Sequence, residues 1–209
     1  MTRPAEIERG LWQSPKACCR FRPMSRQPRT IIDNAPYHVL NRSNGRFRIF
    51  NTDTCFQRFC RLLSIASEKH RMPILAFCIM PNHWHLIVRP RNSIHLSTFM
   101  AWLSNTHTRR YHVANASVGQ GPLYQGRFKA ILLKDNDQLW TATRYVERNP
   151  VNAGLVRSCS GWPWSSISSH GRQLVSLTPS PFQESQSWRL QVDAPMTNSE
   201  LEKSDGWLE

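Results

Sequence analysis

Two short stretches of the 209-residue chain place reactive side chain types at meaningful spacing. The first is His83-Trp84-His85. On a β-strand, residues two apart point to the same face, so both imidazoles would project together while Trp84 faces away. Two imidazole nitrogens side by side can share one metal ion. The second is Tyr145 and Asn149 in a segment that reads as a helix. At about 100° per residue, Leu139, Ala142, Thr143 and Val146 form one apolar arc. Tyr145 and Asn149 lie one turn apart on its flank, with Arg144 and Arg148 on the opposite, solvent side. A tyrosine hydroxyl, with a pKa near ~10, attacks at neutral pH only with a polarised target or a proton acceptor. Taken alone, the histidine pair is equally a pair of incidental histidines, and Tyr145 equally a half-buried structural aromatic.

These residues need elements to hold them. Tyr37–Arg42 reads as a strand, and Phe56, Phe59, Leu63 and Ala66 at helical spacing predict a helix over 54–69. Pro73–Ile79 and His83–Val88 are strands separated by Met80-Pro81-Asn82, a hairpin. A second helix fits 94–112, capped near Ser93, with Leu96, Phe99, Met100 and Leu103 on one face. Arg127–Leu133 reads as a fourth strand, and Asp135 or Asp137 could cap a third helix that Pro150 ends. The order β-α-β-β-α-β predicts an α+β fold, a ferredoxin-like antiparallel sheet with helices on one face, plus one added C-terminal helix carrying the tyrosine.

Charge narrows the partner. Residues 1–172 hold 25 Lys and Arg against 8 Asp and Glu, whereas 173–209 hold 2 against 6, so a +17 body precedes a −4 tail. A basic body of this kind calls for a polyanion, nucleic acid by default. The division predicted is a basic N-terminal arm over 1–29, a domain over 30–172, and an acidic, aperiodic and flexible tail over 173–209. No apolar run approaches the ~20 residues of a membrane span, and the first residues lack the apolar core of a signal peptide, so a cytoplasmic protein is expected. Six cysteines without a C-x-x-C spacing predict free thiols rather than a zinc ribbon or a disulfide framework.

Several segments together carry a resemblance. Ala76–Val88, with its His-Trp-His, resembles the His-hydrophobic-His strand of the single-tyrosine HUH transposases. Tyr124-Gln-Gly-Arg-Phe-Lys129 and Arg144–Val156 are similar to that family's other two motifs. Trp162-Pro-Trp-Ser-Ser166 is similar to a segment of its REP-associated tyrosine transposases, and Tyr37–Phe50 resembles the family's entry segment. The resemblance spans residues 30–170. It implies that His83, His85 and Asn149 bind a divalent cation, Mg²⁺ or Mn²⁺, and that Tyr145 is the nucleophile of a DNA transposase. The substrate implied is single-stranded DNA with hairpins or palindromic repeats, cleaved and rejoined through a 5′-phosphotyrosine. The alternative is a nucleic-acid-binding protein that keeps the fold without catalysis. A monomer or homodimer, associated with the bacterial nucleoid, is expected. Arg42, Arg46 and Arg48 around Asn44-Gly45, with Arg127 and Lys129, are the candidate DNA contacts. Phe47, Trp84 and Tyr124 are candidate stacking surfaces, with core packing the alternative for each. His38, His95, His107 and His112 carry no partner signal.

Overall fold

A computed structural model describes residues 31–180, 182–183, 185, 187–204 and 207. The predicted N-terminal arm over 1–29 lies outside the described residues. Strands β1 (Tyr37–Arg42), β2 (Ile74–Met80), β3 (His83–Val88) and β4 (Lys129–Leu132) form one sheet in the order β2-β3-β1-β4. All its pairings are antiparallel. Helix α1 (Asp53–Lys69) joins β1 to β2, and α2 (Ser93–Ala114) joins β3 to β4, which is the predicted ferredoxin-like order. Local chemistry sets the helix starts. The Thr52 side chain accepts from the Cys55 amide, Asn92 from that of His95, and Asp135 from that of Gln138, each satisfying an N-H that the first helical turn leaves without a partner. The cap of α2 is thus Asn92, one residue before the predicted Ser93.

Strands β2 and β3 are buried along their whole length, because both faces of the sheet are covered. Phe59, Leu62 and Leu63 of α1, with Leu96, Phe99 and Leu103 of α2, pack on Val39, Phe77, Ile79, Trp84 and Leu86. The added helix α3 (Asn136–Asn152) lies on the opposite face, where Leu139, Ala142, Tyr145 and Val146 meet Ala76, Cys78, Met80 and Ile87. It does not stop at Pro150. Asn149 and Val151 carbonyls accept from the Ala153 amide at its end, and a proline there forgoes only one bond of the last turn.

The outer edge of β2 is paired too. Ile79 N-H donates to Trp164 O and Ser166 N-H to Phe77 O, both at 2.9 Å, and Thr178 N-H donates to Ile74 O at 2.8 Å. The segment after residue 172, expected as a flexible tail, carries α5 (Trp188–Asp193) and α6 (Asn198–Ser204) after the short α4 (Ser169–Leu174). These pack on the outer side of α3, burying Trp188 and Val192. Aperiodicity hid them because both helices are short, α5 presenting only Trp188 and Val192 as an apolar pair, and polar side chains of α3 complete their hold. Cys55, Cys60, Cys78 and Cys159 are free.

Candidate active site

Strand register builds the site. Arg42 stands opposite His83 and Leu40 opposite His85 across β1–β3, so His38, Leu40 and Arg42 share the face of the two histidines. Trp84 points the other way and is fully buried against α1 and α2, which excludes it as a stacking surface for a base. Over the histidine face lies α3. The Asn149 amide nitrogen is 3.5 Å from His85 Nε2, and the Tyr145 ring centroid is 5.8 Å from that of His85. The two histidine rings sit 4.9 Å apart, nearly perpendicular. The structure therefore brings His83, His85, Tyr145 and Asn149 together, all four buried.

Hydrogen bonds fix which nitrogens are available. Asn82 Nδ2 donates to the Arg46 carbonyl at 2.9 Å, so Asn82 Oδ1 is the acceptor for His83 Nδ1-H at 2.6 Å. His83 Nε2 is then bare, buried and without a hydrogen-bond partner among the described residues, as is the Tyr145 hydroxyl. His85 Nδ1 lies 2.9 Å from Nε2 of His38, whose ring stacks on it at 5.1 Å. With the His85 proton on Nδ1, His38 accepts it and His85 Nε2 faces Asn149. A second residue that holds one nitrogen so that the other is presented is the usual support of a metal-binding histidine. His38, which the sequence left out, belongs to the site. Its only sequence signal is its parity with Arg42 on β1.

Burial also sets the protonation states. It pushes His83 down to about 4, with the Arg42 charge adding to the shift and the Asn149 amide opposing it. His85 is held well below the usual histidine range by burial, then by His83, His38 and Arg42. Both imidazoles are therefore neutral at neutral pH, with lone pairs free to coordinate. The Tyr145 hydroxyl is raised to about 12 by burial, opposed by the nearby Asn149 amide and the Arg42 charge. That amide approaches the hydroxyl without closing an aligned hydrogen bond. Two imidazole nitrogens, with the Asn149 amide turned to present its oxygen, would form a neutral donor set of the kind that suits a divalent cation. No cluster of three His, Cys, Asp or Glu suited to a metal occurs among the described residues. Trp207 covers the site, its ring edge-on to Tyr145 and to His38 at 5.2 Å each.

The outer side of α3 is not the solvent face expected for Arg144 and Arg148. Arg144 is 4% exposed and donates to the carbonyls of Gln191, Ala194 and Pro195 at 2.6–2.9 Å, besides its ion pair with Glu200. Arg148 donates to Val192 O at 2.8 Å. Between them, the buried Glu147 carboxylate accepts from Ser166, Gln183 and Trp188 at 2.6–2.7 Å. These contacts clamp the helix that carries Tyr145 and Asn149.

A family model described as Transposase IS200 like matches residues 31–149, which run from the strand before the site to Asn149. The chain belongs to the IS200-like transposases. A Haemophilus influenzae protein described as a REP-associated tyrosine transposase is 28% identical to this chain over 108 residues, 48% of this chain and 61% of the relative. The chain thus spans less than two thirds of that relative's length. A solved REP-associated tyrosine transposase, bound to a REP hairpin, aligns over 83% of this chain and 93% of its own with a TM-score of 0.57 and 19% identity, a shared fold.

The predicted DNA contacts scatter around this candidate site rather than converging on one point. Arg42 is half-buried beside His83, and Arg46 and Arg48 are exposed on the turn that Asn82 ties to the hairpin. Lys129, exposed and opposite Leu40, lies on the face of His83 and His85, whereas Arg127 borders a cavity on the other side of the sheet. Phe47 is 47% exposed, and Tyr124 is buried. Among the described residues no helix is long and apolar enough to cross a membrane.

Proposed function

We propose that this transposase cleaves and rejoins single-stranded DNA next to hairpins, with Tyr145 as nucleophile. The observation that carries the reading is the convergence of the buried, unpartnered Tyr145 hydroxyl with His83 Nε2 and the Asn149 amide on one face of the sheet. A divalent cation, Mg²⁺ or Mn²⁺, held by His83, His85 and Asn149 would supply Lewis-acid polarisation of the scissile phosphate. His38 and Asn82 keep the ligand nitrogens aimed and unprotonated. Arg42 places a positive charge beside Tyr145, which favours the phenolate and the approach of a phosphate. Tyr145 Oη forms a bond to phosphorus as the bond to the 3′-oxygen breaks. The phenol proton leaves to solvent, and the departing oxygen takes up a proton as a free 3′-hydroxyl. The 5′-phosphotyrosine conserves the bond energy, so a second 3′-hydroxyl reseals the strand without a nucleotide cofactor.

Hairpin recognition rests on the solved relative's REP hairpin and on the exposed Arg46, Arg48 and Lys129, which stand ready for phosphates. A basic body acting on DNA suits a cytoplasmic, nucleoid-associated protein.

The test incubates the full chain with Mn²⁺ or Mg²⁺ and a labelled hairpin oligonucleotide carrying a single-stranded flank. A denaturation-resistant adduct is expected, lost in Tyr145→Phe while hairpin binding survives. An adduct that persists in Tyr145→Phe assigns the nucleophile elsewhere. Cation-dependent cleavage at wild-type rate in His83→Ala/His85→Ala would remove the ligand assignment.

A further inference from the structure

A second cavity lies on the other face of β1 from the tyrosine, between α2 and the loop that leads into β4. Its volume is about 660 Å³. Ser97, Met100, Ala101, Ser104, Asn105 and Thr108 line one wall, at the spacing of a single helical face. Tyr124 and Phe128 contribute aromatic surface, and Arg127 stands at the border. Asn41, 6% exposed, also faces it. The Asn41 Oδ1 accepts from the Arg42 amide at 3.0 Å, which leaves the two Nδ2 hydrogens without a partner among the described residues. Ser104 Oγ is shielded from solvent and unpartnered. An unpaired buried hydroxyl and an amide with free donors, set beside aromatic surface, suit a flat polar ligand.

This cavity and the catalytic face adjoin across one edge of β1. Beyond Leu40, β1 has no strand partner on the β4 side. The edge there is closed only by Gln125 N-H donating to Arg42 O, at 3.0 Å, and by the Ser43–Tyr124 bridge. Gln125, Gly126 and Arg127 are exposed over that edge, and Lys129 is exposed on its catalytic side. Asn41 and Arg42 are consecutive, one facing the cavity and one facing His83. A strand lying along Lys129 and Arg42 reaches the cavity by crossing Gln125–Arg127, a sheet thickness away.

We propose that this cavity takes one unstacked nucleobase from the flank of the cleaved strand, read by the Asn41 and Asn105 amides and the Ser104 hydroxyl against Tyr124 and Phe128. Arg127 then serves the adjoining phosphate. This rests on the strand-cleavage reading above and deepens it by assigning residues that choose where the strand is cut. Amides read base edges through paired donors and acceptors, and a stacked base contributes about 1–3 kcal/mol, so losing it costs on the order of tenfold in affinity.

The experiment scans a labelled hairpin oligonucleotide with a single abasic site moved one position at a time along its flank. Binding is measured at fixed salt with Tyr145→Phe, so that no adduct forms, and adduct formation is measured in parallel with the unsubstituted tyrosine. One flank position is expected to lose about tenfold in affinity when abasic. The exposed-site variants Asn105→Ala and Ala101→Phe, the second filling the cavity, should erase that penalty while leaving the salt dependence of binding unchanged. A uniform scan, or a penalty that survives in both variants, overturns the pocket. If adducts form and the scan is flat, the nucleophile stands and only the pocket falls. If the hairpin neither binds nor forms an adduct, both readings fall together.

Discussion

Buried histidines make this fold sensitive to acid, and His107 allows the effect to be isolated. Its ring is 8% exposed, stacks on Phe50 at 5.3 Å and bonds the Tyr124 hydroxyl at 2.6 Å. Burial first, and Arg110 second, push its pKa down to about 3. The unfolded chain protonates this histidine below about 6.5 and the folded chain resists doing so until about 3. Below pH 6.5 the unfolded state therefore binds more protons, and stability falls as pH falls. At pH 5 the loss for one such histidine is about 2 kcal/mol, from the unfolded protonation equilibrium 1.5 units above that pH. His38, pushed to about 3, and His83, pushed to about 4, add similar amounts. Together the three lose about 6 kcal/mol between pH 7.5 and pH 5, a large share of a typical 5–15 kcal/mol. The assay is urea unfolding at the two pH values, with EDTA present so that cation binding at His83 and His85 does not contribute. His107→Gln keeps an amide near Tyr124 and removes the titration. Whatever it does to absolute stability, its loss between the two pH values should be smaller than wild type by about 2 kcal/mol. A variant whose loss matches wild type within about 0.5 kcal/mol would refute the reasoning, since its His107 would then not titrate between the two states.

Further outcomes follow from other contacts. His38→Ala removes the partner of His85 Nδ1 and should weaken Mn²⁺ binding about 10–100-fold by calorimetry; unchanged affinity would strip His38 of its supporting role. Glu147→Leu leaves the Ser166, Gln183 and Trp188 donors unpaired and should cost about 3 kcal/mol or more in urea unfolding, whereas a loss under about 1 kcal/mol would mean the clamp on α3 lies elsewhere. A Cβ at Gly171 would come within 2.1 Å of the Ser165 carbonyl oxygen, so Gly171→Ala should destabilise by about 1–3 kcal/mol, and a neutral result would show that this turn yields. Trp207→Ala admits water to Tyr145, so its hydroxyl pKa, followed by NMR of labelled tyrosine, should fall from about 12 towards 10; no shift would mean that Trp207 does not shield it.

Local periodicity carried the sheet order and the inner half of the site. His83 and His85 share a face because a strand alternates, and Tyr145 and Asn149 adjoin because a helix turns, both properties of a few consecutive residues. What was hidden depends on residues far apart in the chain. His38 reaches His85 through strand register, a separation of 47 residues. Arg144 looked solvated because nothing within a helix reveals that Glu200, 56 residues on, will meet it. The second helical layer over α3 was invisible for the same reason, its short helices offering too few apolar positions to show a period and meeting polar clamps on α3. Pro150 misled in the other direction, since a proline in the last turn forfeits little.

The alternation that aims the histidines also constrains how this chain can change over generations. A one-residue insertion or deletion inside β3 would reverse every side chain beyond it, presenting an indole where an imidazole now sits and driving the other imidazole into the aromatic core. The turn before it offers no slack to absorb the slip. Asn82 binds His83 through its side chain, the Arg46 carbonyl through its amide, and the Ser43 N-H through its own carbonyl at 2.9 Å. Lineages descended from this chain can therefore exchange residues along 82–88 one at a time, but length variation there is closed to them, and must be sought in loops such as 115–122 that touch neither histidine.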